Sequence, residues 1–245
     1  AIGKVGDSRV VVPCSALVFD SEAAYPALTN DSKITVNNGT FNSETSTIST
    51  MPKADDTNER VVVNSGTYSD LSALDYLASG ATVTVKLAAD TTKDVTIPAG
   101  ATVTLDLNGK TLTNVSGHTI TNNGNLTVTG NGTVDNVTHA KGALYNCVGA
   151  TAILNGGTFT RSQEAGTYEP NEGNGNSWYT MQNDGTMTIN AGTTVTTRLN
   201  DSGKAVGGFS SLIRNGGNAG TAPTLLINGG HFNGGINTVK NDEGG

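Results

Sequence analysis

The sequence predicts an all-β protein, a right-handed parallel β-helix (β-solenoid) with one short helix near residues 70–79. Three observations predict this fold. A short motif of two apolar residues, a glycine turn and a third apolar residue recurs seven times. A second motif places an asparagine two residues after an apolar residue. The chain also has 32 glycines and only 14% charged residues, which suits short strands joined by turns, whereas ordinary globular domains contain about 25% charged residues.

The first motif, which we call the corner motif, reads AILNGGTF in its clearest copy, residues 152–159. Ala152 and Leu154 stand two apart, which places both on one face of a strand. Gly157 supplies the positive φ that a sharp bend needs, and Phe159 then points back inward. The other copies span residues 34–41, 61–68, 104–112, 126–134, 187–195 and 225–232.

The corner motifs must stack, because one corner buries too few side chains to fold alone. If every motif sits directly above its predecessor, Leu107, Val128 and Leu154 share one interior column. The shortest coil has 22 residues, and longer intervals indicate loops. Right-handed winding follows the general preference of parallel crossovers. The third apolar residues should form a second column of Phe41, Tyr68, Leu112, Val134, Phe159, Val195 and Phe232.

The second motif predicts a column of stacked asparagines. An amide side chain both donates and accepts hydrogen bonds, so stacked amides satisfy one another inside a bend. The alternative interpretation is four unrelated turn residues in an asparagine-rich chain. The residues concerned are Asn122, Asn146, Asn183 and Asn215.

The longest interval between third apolar residues, 44 residues from Tyr68 to Leu112, contains a different pattern. In residues 69–80, leucines recur at helical spacing after a Ser-Asp pair and before Gly80. We expect a short amphipathic helix that closes one solenoid section.

A longer repeat overlies the short one, because residues 34–43 resemble residues 225–234, which lie 191 positions later. We therefore interpret residues 1–80 as the end of one β-helix unit with its closing helix. Residues 81–245 form a second unit that is incomplete at its C-terminus. The chain has no signal peptide and does not begin with Met, so we expect it to be a piece of a longer protein.

Composition argues against several functions. The net charge is −7 and no Lys/Arg cluster occurs, so nucleic-acid binding is not expected. No apolar run approaches the roughly 20 residues that span a bilayer, so we expect no membrane insertion by this segment. Cys14 and Cys147 should lie four coils, roughly 19 Å, apart, whereas a disulfide needs Cα atoms within about 7 Å. We predict buried, inert thiols, no metal site and no cofactor.

An enzyme is not predicted. A polysaccharide lyase needs clustered carboxylates for Ca²⁺ and a base, and a hydrolase needs two carboxylates about 5–9.5 Å apart. Asp55 and Asp56 are adjacent, so on a strand they would point to opposite faces. Asp106 lies between Leu105 and Leu107, points outward and has no acidic partner at its register.

The longest excursion, residues 161–179, is the predicted contact surface. It contains the only Trp of the chain, and an aromatic side chain on a protruding loop is a common anchor for a protein or sugar partner. Alternation with Met181 predicts that Tyr179 faces inward and Trp178 outward. The alternative is that one of these rings covers the solenoid flank. The candidate binding residues are Trp178, Tyr168, Arg161 and Glu172.

Rows of outward-facing threonines suggest a further class of function, which is binding to ice or another crystal surface. Thr102 and Thr104, like the corresponding threonines of later strands, flank inward residues. Threonine is also a favourable exposed strand residue, and Asn155 and Leu226 interrupt the rows, so this class ranks lowest.

The NGGTF-type corners, the segment VTIPAGATVTLDLNGKTL (95–112) and the closing helix resemble right-handed parallel β-helix repeat proteins on the surface of Gram-positive gut bacteria. That family is similar in fold to pectate lyases and polygalacturonases, but fold alone does not carry activity. The resemblance implies an extracellular, cell-surface protein. It implies a non-catalytic adhesive module that engages a host glycoprotein such as immunoglobulin or mucin. The alternatives are a carbohydrate-binding or carbohydrate-cleaving β-helix and a structural spacer.

Overall fold

Short parallel strands make up nearly all of the regular structure. The computed structural model describes residues 34–43, 46–48, 61–164, 178–205, 210–217 and 222–242. In chain order its strands are β1 (Ile34–Val36), β2 (Thr40–Phe41), β3 (Val61–Tyr68), β4 (Leu77–Lys86), β5 (Thr91–Thr92), β6 (Val95–Ile97), β7 (Thr102–Asp106), β8 (Thr111–Thr113), β9 (Ile120–Asn122), β10 (Asn125–Thr129), β11 (Thr133–Asp135), β12 (Leu144–Asn146), β13 (Thr151–Leu154), β14 (Thr158–Thr160), β15 (Met181–Asn183), β16 (Thr186–Ile189), β17 (Thr194–Thr196), β18 (Ile213–Asn215), β19 (Thr224–Ile227), β20 (His231–Asn233) and β21 (Val239–Asn241).

The strands form three parallel sheets that run along the same stack. The long sheet has the order β1-β3-β4-β7-β10-β13-β16-β19, with β2 paired to β3. The second sheet has the order β5-β8-β11-β14-β17-β20, and the third β6-β9-β12-β15-β18-β21. Each turn of chain from β7 onward adds one strand to each sheet, which is the arrangement of a parallel β-helix. The predicted fold class is confirmed, while the right-handed winding stays a prediction.

The interior is built from columns of apolar side chains in register. On the long sheet Leu105 pairs with Val128, Val128 with Leu154, and Leu154 with Ile189, and none of the four exceeds 1% exposure. The expected place of Leu107 in this column is therefore wrong. Val103, Leu105 and Leu107 occupy alternate positions, so a shift of two residues leaves the apolar pattern unchanged. The pattern alone therefore does not fix which of them pairs with Val128.

The first two corner motifs also depart from the expected column. Phe41 pairs with Tyr68, and Tyr68 with Val85 of the long sheet, whereas the later third residues lie in the second sheet. Strand β3 continues through its motif without a corner, although its pairing with β4 shifts register between Val63 and Ser65. A side chain at Gly66 would collide with the Tyr68 ring, so this glycine makes room for an aromatic ring rather than for a corner.

The predicted helix over residues 69–80 is shorter than expected. Only Ser72–Tyr76 are helical, in a 3-10 turn, and Leu77–Lys86 already form β4. The Asp70 carboxylate accepts hydrogen bonds from the backbone N–H groups of Ser72 and Thr47, which fixes the turn. Strand β4 continues through residue 80, and the division into units at that point stays a prediction.

The asparagine column is confirmed and extends one coil further than predicted. Each Nδ2 donates to the Oδ1 of the next asparagine at 2.7 or 2.8 Å. The Asn146 Nδ2 also donates to the Thr186 carbonyl at 3.0 Å, and its neighbours make equivalent bonds. The ladder therefore satisfies buried amides and fastens each coil to the next. Its members are Asn122, Asn146, Asn183, Asn215 and Asn241.

Burial of the columns ends at the last described coil. Ile189 is fully buried, whereas Ile227, which pairs with it, is 40% exposed. Phe232 and Val239, the inward residues of β20 and β21, are half-buried as well. Each coil thus depends on the following one to cover its apolar side chains.

Cys147 is a free and partly exposed thiol, so the prediction that it is buried is wrong. Its partial burial, and then the charge of Asp184, raise the pKa of this thiol. Cys14 lies outside the described residues, and its predicted separation from Cys147 stays a prediction. No helix in the described ranges is long and apolar enough to cross a membrane.

Candidate functional site

Two of the four predicted contact residues lie within the described residues. Trp178 is half-buried, and Arg161 is fully buried. Tyr168 and Glu172 fall outside the described part of the chain. Arg161 was predicted to contact a partner, but its side chain has no exposed surface. It is therefore not available for that direct contact.

Arg161 instead holds together the base of the excursion. Its Nε donates to the Lys141 carbonyl at 2.8 Å and its Nη2 to the Thr138 carbonyl at 2.9 Å. Its Nη1 forms an ion pair with Glu164, whose side chain is 1% exposed. Burial lowers the pKa of Arg161 to about 10, against an opposing effect of Asp135, so the side chain stays charged at neutral pH.

Glu164 connects this base to Trp178. The Glu164 Oε1 accepts a hydrogen bond from the Trp178 backbone N–H at 3.2 Å. On the other side, Asp135 accepts hydrogen bonds from the backbone and hydroxyl of Ser162. The chain is therefore held on both sides of residues 165–177, and the backbone that carries the Trp178 ring is fixed.

The outward face of the third sheet lies next to Trp178. Tyr145 pairs with Gln182, Gln182 with Arg214, and Arg214 with Lys240. Each is the middle residue of its strand, between an inward apolar residue and an inward ladder asparagine, so each points outward. These four positions form one vertical column across neighbouring coils.

Aromatic rings gather beside this column. Trp178 and Tyr179 meet edge to face with ring centroids 5.4 Å apart, and the Arg214 guanidinium lies 5.6 Å from the Tyr179 ring centroid. Tyr179 is therefore on the outer surface, and its predicted inward position is wrong. Thr180, which bonds the Thr196 carbonyl, takes the buried position instead. We call Tyr145, Trp178, Tyr179, Gln182 and Arg214 the Trp178 surface.

Hydrogen bonds fix the rings of this surface. The Trp178 Nε1 donates to the Gln182 Oε1 at 3.3 Å. The Tyr145 hydroxyl donates to the Asp184 Oδ2 at 2.9 Å. Aromatic side chains held in this way lose little conformational entropy when a partner binds.

His118 lies against the Tyr145 ring, with ring centroids 5.1 Å apart. Its Nδ1 accepts the backbone N–H of Gly142 at 2.9 Å. Burial, followed by the charge of Lys141, lowers the pKa of His118 to about 4. The imidazole is therefore neutral at physiological pH and adds no charge to the surface.

At the edge of the surface next to strand β21, two cations share one carboxylate. Asp242 accepts hydrogen bonds from Arg214 at 2.6 Å and from Lys240 at 2.7 Å. The bonds from Lys240 and then Arg214 lower the pKa of Asp242, which keeps it ionised. A side chain at Gly217 would overlap the Arg214 guanidinium, so this glycine leaves the space that Arg214 occupies.

The described residues offer little for catalysis. Asp106 faces Lys86 and Thr129 on the neighbouring strands, as expected of an outward residue without an acidic partner. Within the described ranges, no three His, Cys, Asp or Glu side chains are grouped to hold a metal ion. Asp55 and Asp56 lie outside those ranges, and the non-catalytic assignment stays a prediction.

The threonine rows lie on the outward face of the long sheet and are interrupted. Ile153 and Leu226 stand in the column of Thr104, Thr127 and Thr188. The predicted interruption at Leu226 is confirmed. Asn155 lies in the next column, where its Oδ1 accepts a hydrogen bond from the neighbouring coil.

Comparison with protein families, characterised proteins and solved structures finds no match for this chain. Its function must therefore be argued from the geometry of the Trp178 surface. Sequence reasoning missed Tyr145, Gln182 and Arg214, although each is the middle residue of an apolar-x-Asn motif. The motif itself could have identified them, because its middle residue points outward in the described strands of the third sheet that carry it.

Proposed function

We propose that this chain is a non-catalytic binding module of a large extracellular bacterial surface protein, and that it engages a host glycoprotein such as immunoglobulin or mucin. The contact is made through the Trp178 surface. The observation that carries the proposal is the gathering of Tyr145, Trp178 and Tyr179 on one outward face, with Trp178 held by buried Glu164.

Two physical features support a binding role. Partly exposed aromatic and arginine side chains supply most of the energy at many protein interfaces, and this surface contains three aromatic residues and Arg214. Its side chains also stand on a rigid parallel sheet or are tied to one, which limits the entropy lost on binding. A structural spacer has no need of such an arrangement.

Binding to immobilised immunoglobulin and to mucin tests the proposal. The unmodified chain, the Trp178→Ala variant and a Thr127→Ala control should be compared by surface plasmon resonance. Thr127 is half-buried on the outward face of a different sheet. We expect the unmodified chain to bind one of the two, Trp178→Ala to bind at least about tenfold more weakly, and Thr127→Ala to bind normally.

Each contrary result has a defined meaning. If the unmodified chain binds neither glycoprotein, the proposed partner is wrong and the spacer interpretation is favoured. If Trp178→Ala binds as well as the unmodified chain, the contact lies on another surface. Unfolding curves of the three proteins show whether a lost interaction reflects a lost fold.

A further inference from the structure

We propose that the part of the partner recognised by the Trp178 surface is a neutral oligosaccharide of hexopyranose units. The proposal rests on the function proposed above, because it assigns a ligand class to the same surface. Three observations support it: the orientation of the Gln182 amide, the balance of charges on the surface, and the spacing between Tyr145 and Gln182.

Gln182 offers a hydrogen-bond donor on the floor of the surface. Indole Nε1–H only donates, so the Gln182 atom that faces Trp178 must be Oε1, and this bond fixes the orientation of the amide. The side chain is 8% exposed. Its Nε2 makes no hydrogen bond in the described structure and is not among the fully buried atoms that lack a partner. The Nε2 donor therefore has no hydrogen-bond partner in the described structure and retains some exposed area, which leaves it for a ligand that lies on this surface.

A hydrogen-bond donor beside aromatic rings suits a sugar, because a sugar has both hydrogen-bonding hydroxyl groups and an apolar face. The hydroxyl oxygens at the rim of a pyranose accept hydrogen bonds, while its C–H groups form an apolar face that packs on an aromatic ring. Tyr145 and Gln182 stand on adjacent strands, about 4.8 Å apart, which is close to the width of one sugar ring. A sugar stacked on a ring of this surface would bring a hydroxyl within reach of Gln182.

The charges favour a neutral ligand over an anionic one. Arg214 and Lys240 carry two positive charges, Asp242 bonds both and carries one negative charge, and His118 is uncharged at neutral pH. Asp184, which lies beside Tyr145, would repel a carboxylate or sulfate group. The charges of Arg214, Lys240, Asp242 and Asp184 therefore sum to zero, so a sialylated or sulfated glycan gains no net electrostatic attraction on the described part of the surface.

Gln182→Glu is the most informative variant. The new carboxylate still accepts the Trp178 Nε1–H, but the donor that faces the ligand is lost. Asn125→Asp is the matched control, because it makes the same amide-to-carboxylate change at an exposed position on the outward face of the long sheet. The probes are mucin before and after enzymatic removal of its glycans, a panel of neutral hexose oligosaccharides, and their sulfated counterparts.

We expect the unmodified chain to bind intact mucin and at least one neutral oligosaccharide, and to lose mucin binding after deglycosylation. Gln182→Glu should weaken both interactions about tenfold or more, and Asn125→Asp should leave them unchanged. Thermal unfolding and far-UV spectra of both variants establish that the fold is retained.

The outcomes separate the two proposals. Binding that survives deglycosylation overturns the sugar assignment but leaves the glycoprotein-binding function in place. Tighter binding of the sulfated probes overturns the neutral class, and an unchanged affinity of Gln182→Glu overturns the assigned contact. Binding to no glycoprotein and no oligosaccharide overturns both the function and the ligand class.

Discussion

The Glu164 carboxylate joins Arg161 and Trp178, which are seventeen residues apart in the chain, because it accepts the backbone N–H of Trp178 while pairing with Arg161. Both charged side chains are fully or almost fully buried. The position of the aromatic ring on the surface therefore depends on an ion pair beneath it. This relation couples the stability of the fold to the geometry of the candidate site.

Removing Glu164 should destabilise the protein strongly. Glu164→Ala removes the carboxylate that forms a buried ion pair with Arg161, and breaking such a pair typically costs about 3–5 kcal/mol. We expect the free energy of unfolding, measured by urea denaturation, to fall by that amount. Gln163→Ala, at the adjacent exposed position, should change it by less than about 0.5 kcal/mol. A similar small change in Glu164→Ala would show that Arg161 finds another partner.

The asparagine ladder should be equally sensitive at its centre. Asn146→Ala removes the acceptor of Asn122 and the donor to Asn183 and Thr186. Buried polar groups without partners cost about 1–3 kcal/mol each, so we expect a loss of about 3 kcal/mol or more in the free energy of unfolding.

Asn123→Ala is the control for the ladder. It replaces an exposed asparagine next to a ladder member and should be close to neutral. Equal effects of Asn146→Ala and Asn123→Ala would mean that the stacked amides contribute no net stability. Hydrogen exchange of the Thr186 and Asn183 amides would report whether the coils separate locally in the Asn146 variant.

His118 should make stability depend on pH in a defined window. Its folded-state pKa is lowered to about 4 from an ordinary value of 6.5, so between these values the unfolded chain binds more protons than the folded one. Stability therefore falls as the pH is lowered from about 6.5 to about 4 and is unaffected by this group above that range. The loss should be about 2 kcal/mol, since solvent at the partly exposed ring screens part of the effect.

His118→Asn retains an acceptor for the Gly142 N–H but does not titrate. Urea denaturation between pH 7 and pH 4 should give a flatter profile for this variant than for the unmodified chain. His139→Asn, at an exposed position, should keep the original slope. If His118→Asn keeps it too, the pH dependence arises from other groups.

Two glycines allow crowding to be separated from backbone conformation. A Cβ added at Gly185 would lie 2.5 Å from the Cys147 carbonyl oxygen and would also collide with the Ala150 carbonyl oxygen. Gly149 has φ +77°, and a Cβ added there would have no atom of the described residues within 4 Å, apart from those of its own residue and its chain neighbours. We expect Gly185→Ala to cost about 3 kcal/mol or more through backbone displacement, and Gly149→Ala about 1 kcal/mol through strain alone. Melting temperatures in the reverse order would contradict this explanation.

The sequence predicted the stacking of the coils better than their alignment. Asn122, Asn146 and Asn183 were placed correctly because a buried amide stack tolerates few substitutes, so its pattern is specific. Leu107 was placed wrongly because apolar alternation is unchanged by a shift of two residues. Tyr68 was assigned to a corner because glycine before an aromatic residue serves two different geometries, a turn and a space for a ring.

The candidate site was predicted in part. The Trp in a long excursion directed attention to this region, and Trp178 is partly exposed there, while its role in binding stays a prediction. Arg161 was misplaced because its donors are used by the carbonyls of Thr138 and Lys141, and these come close only after the chain has coiled. Burial of a charged residue depends on such distant partners, which local sequence patterns do not reveal.

The half-exposed side chains Ile227, Phe232 and Val239 have a consequence for how the molecule comes apart. Each coil is held chiefly by contacts with its immediate neighbours, so the coil with the least covered interior should detach first and leave the central coils intact. Heating the 245-residue chain should then unfold residues 222–242 before the central coils, rather than melt all coils at once. Mechanical force applied there should peel the chain away coil by coil, in steps set by the spacing of the ladder asparagines.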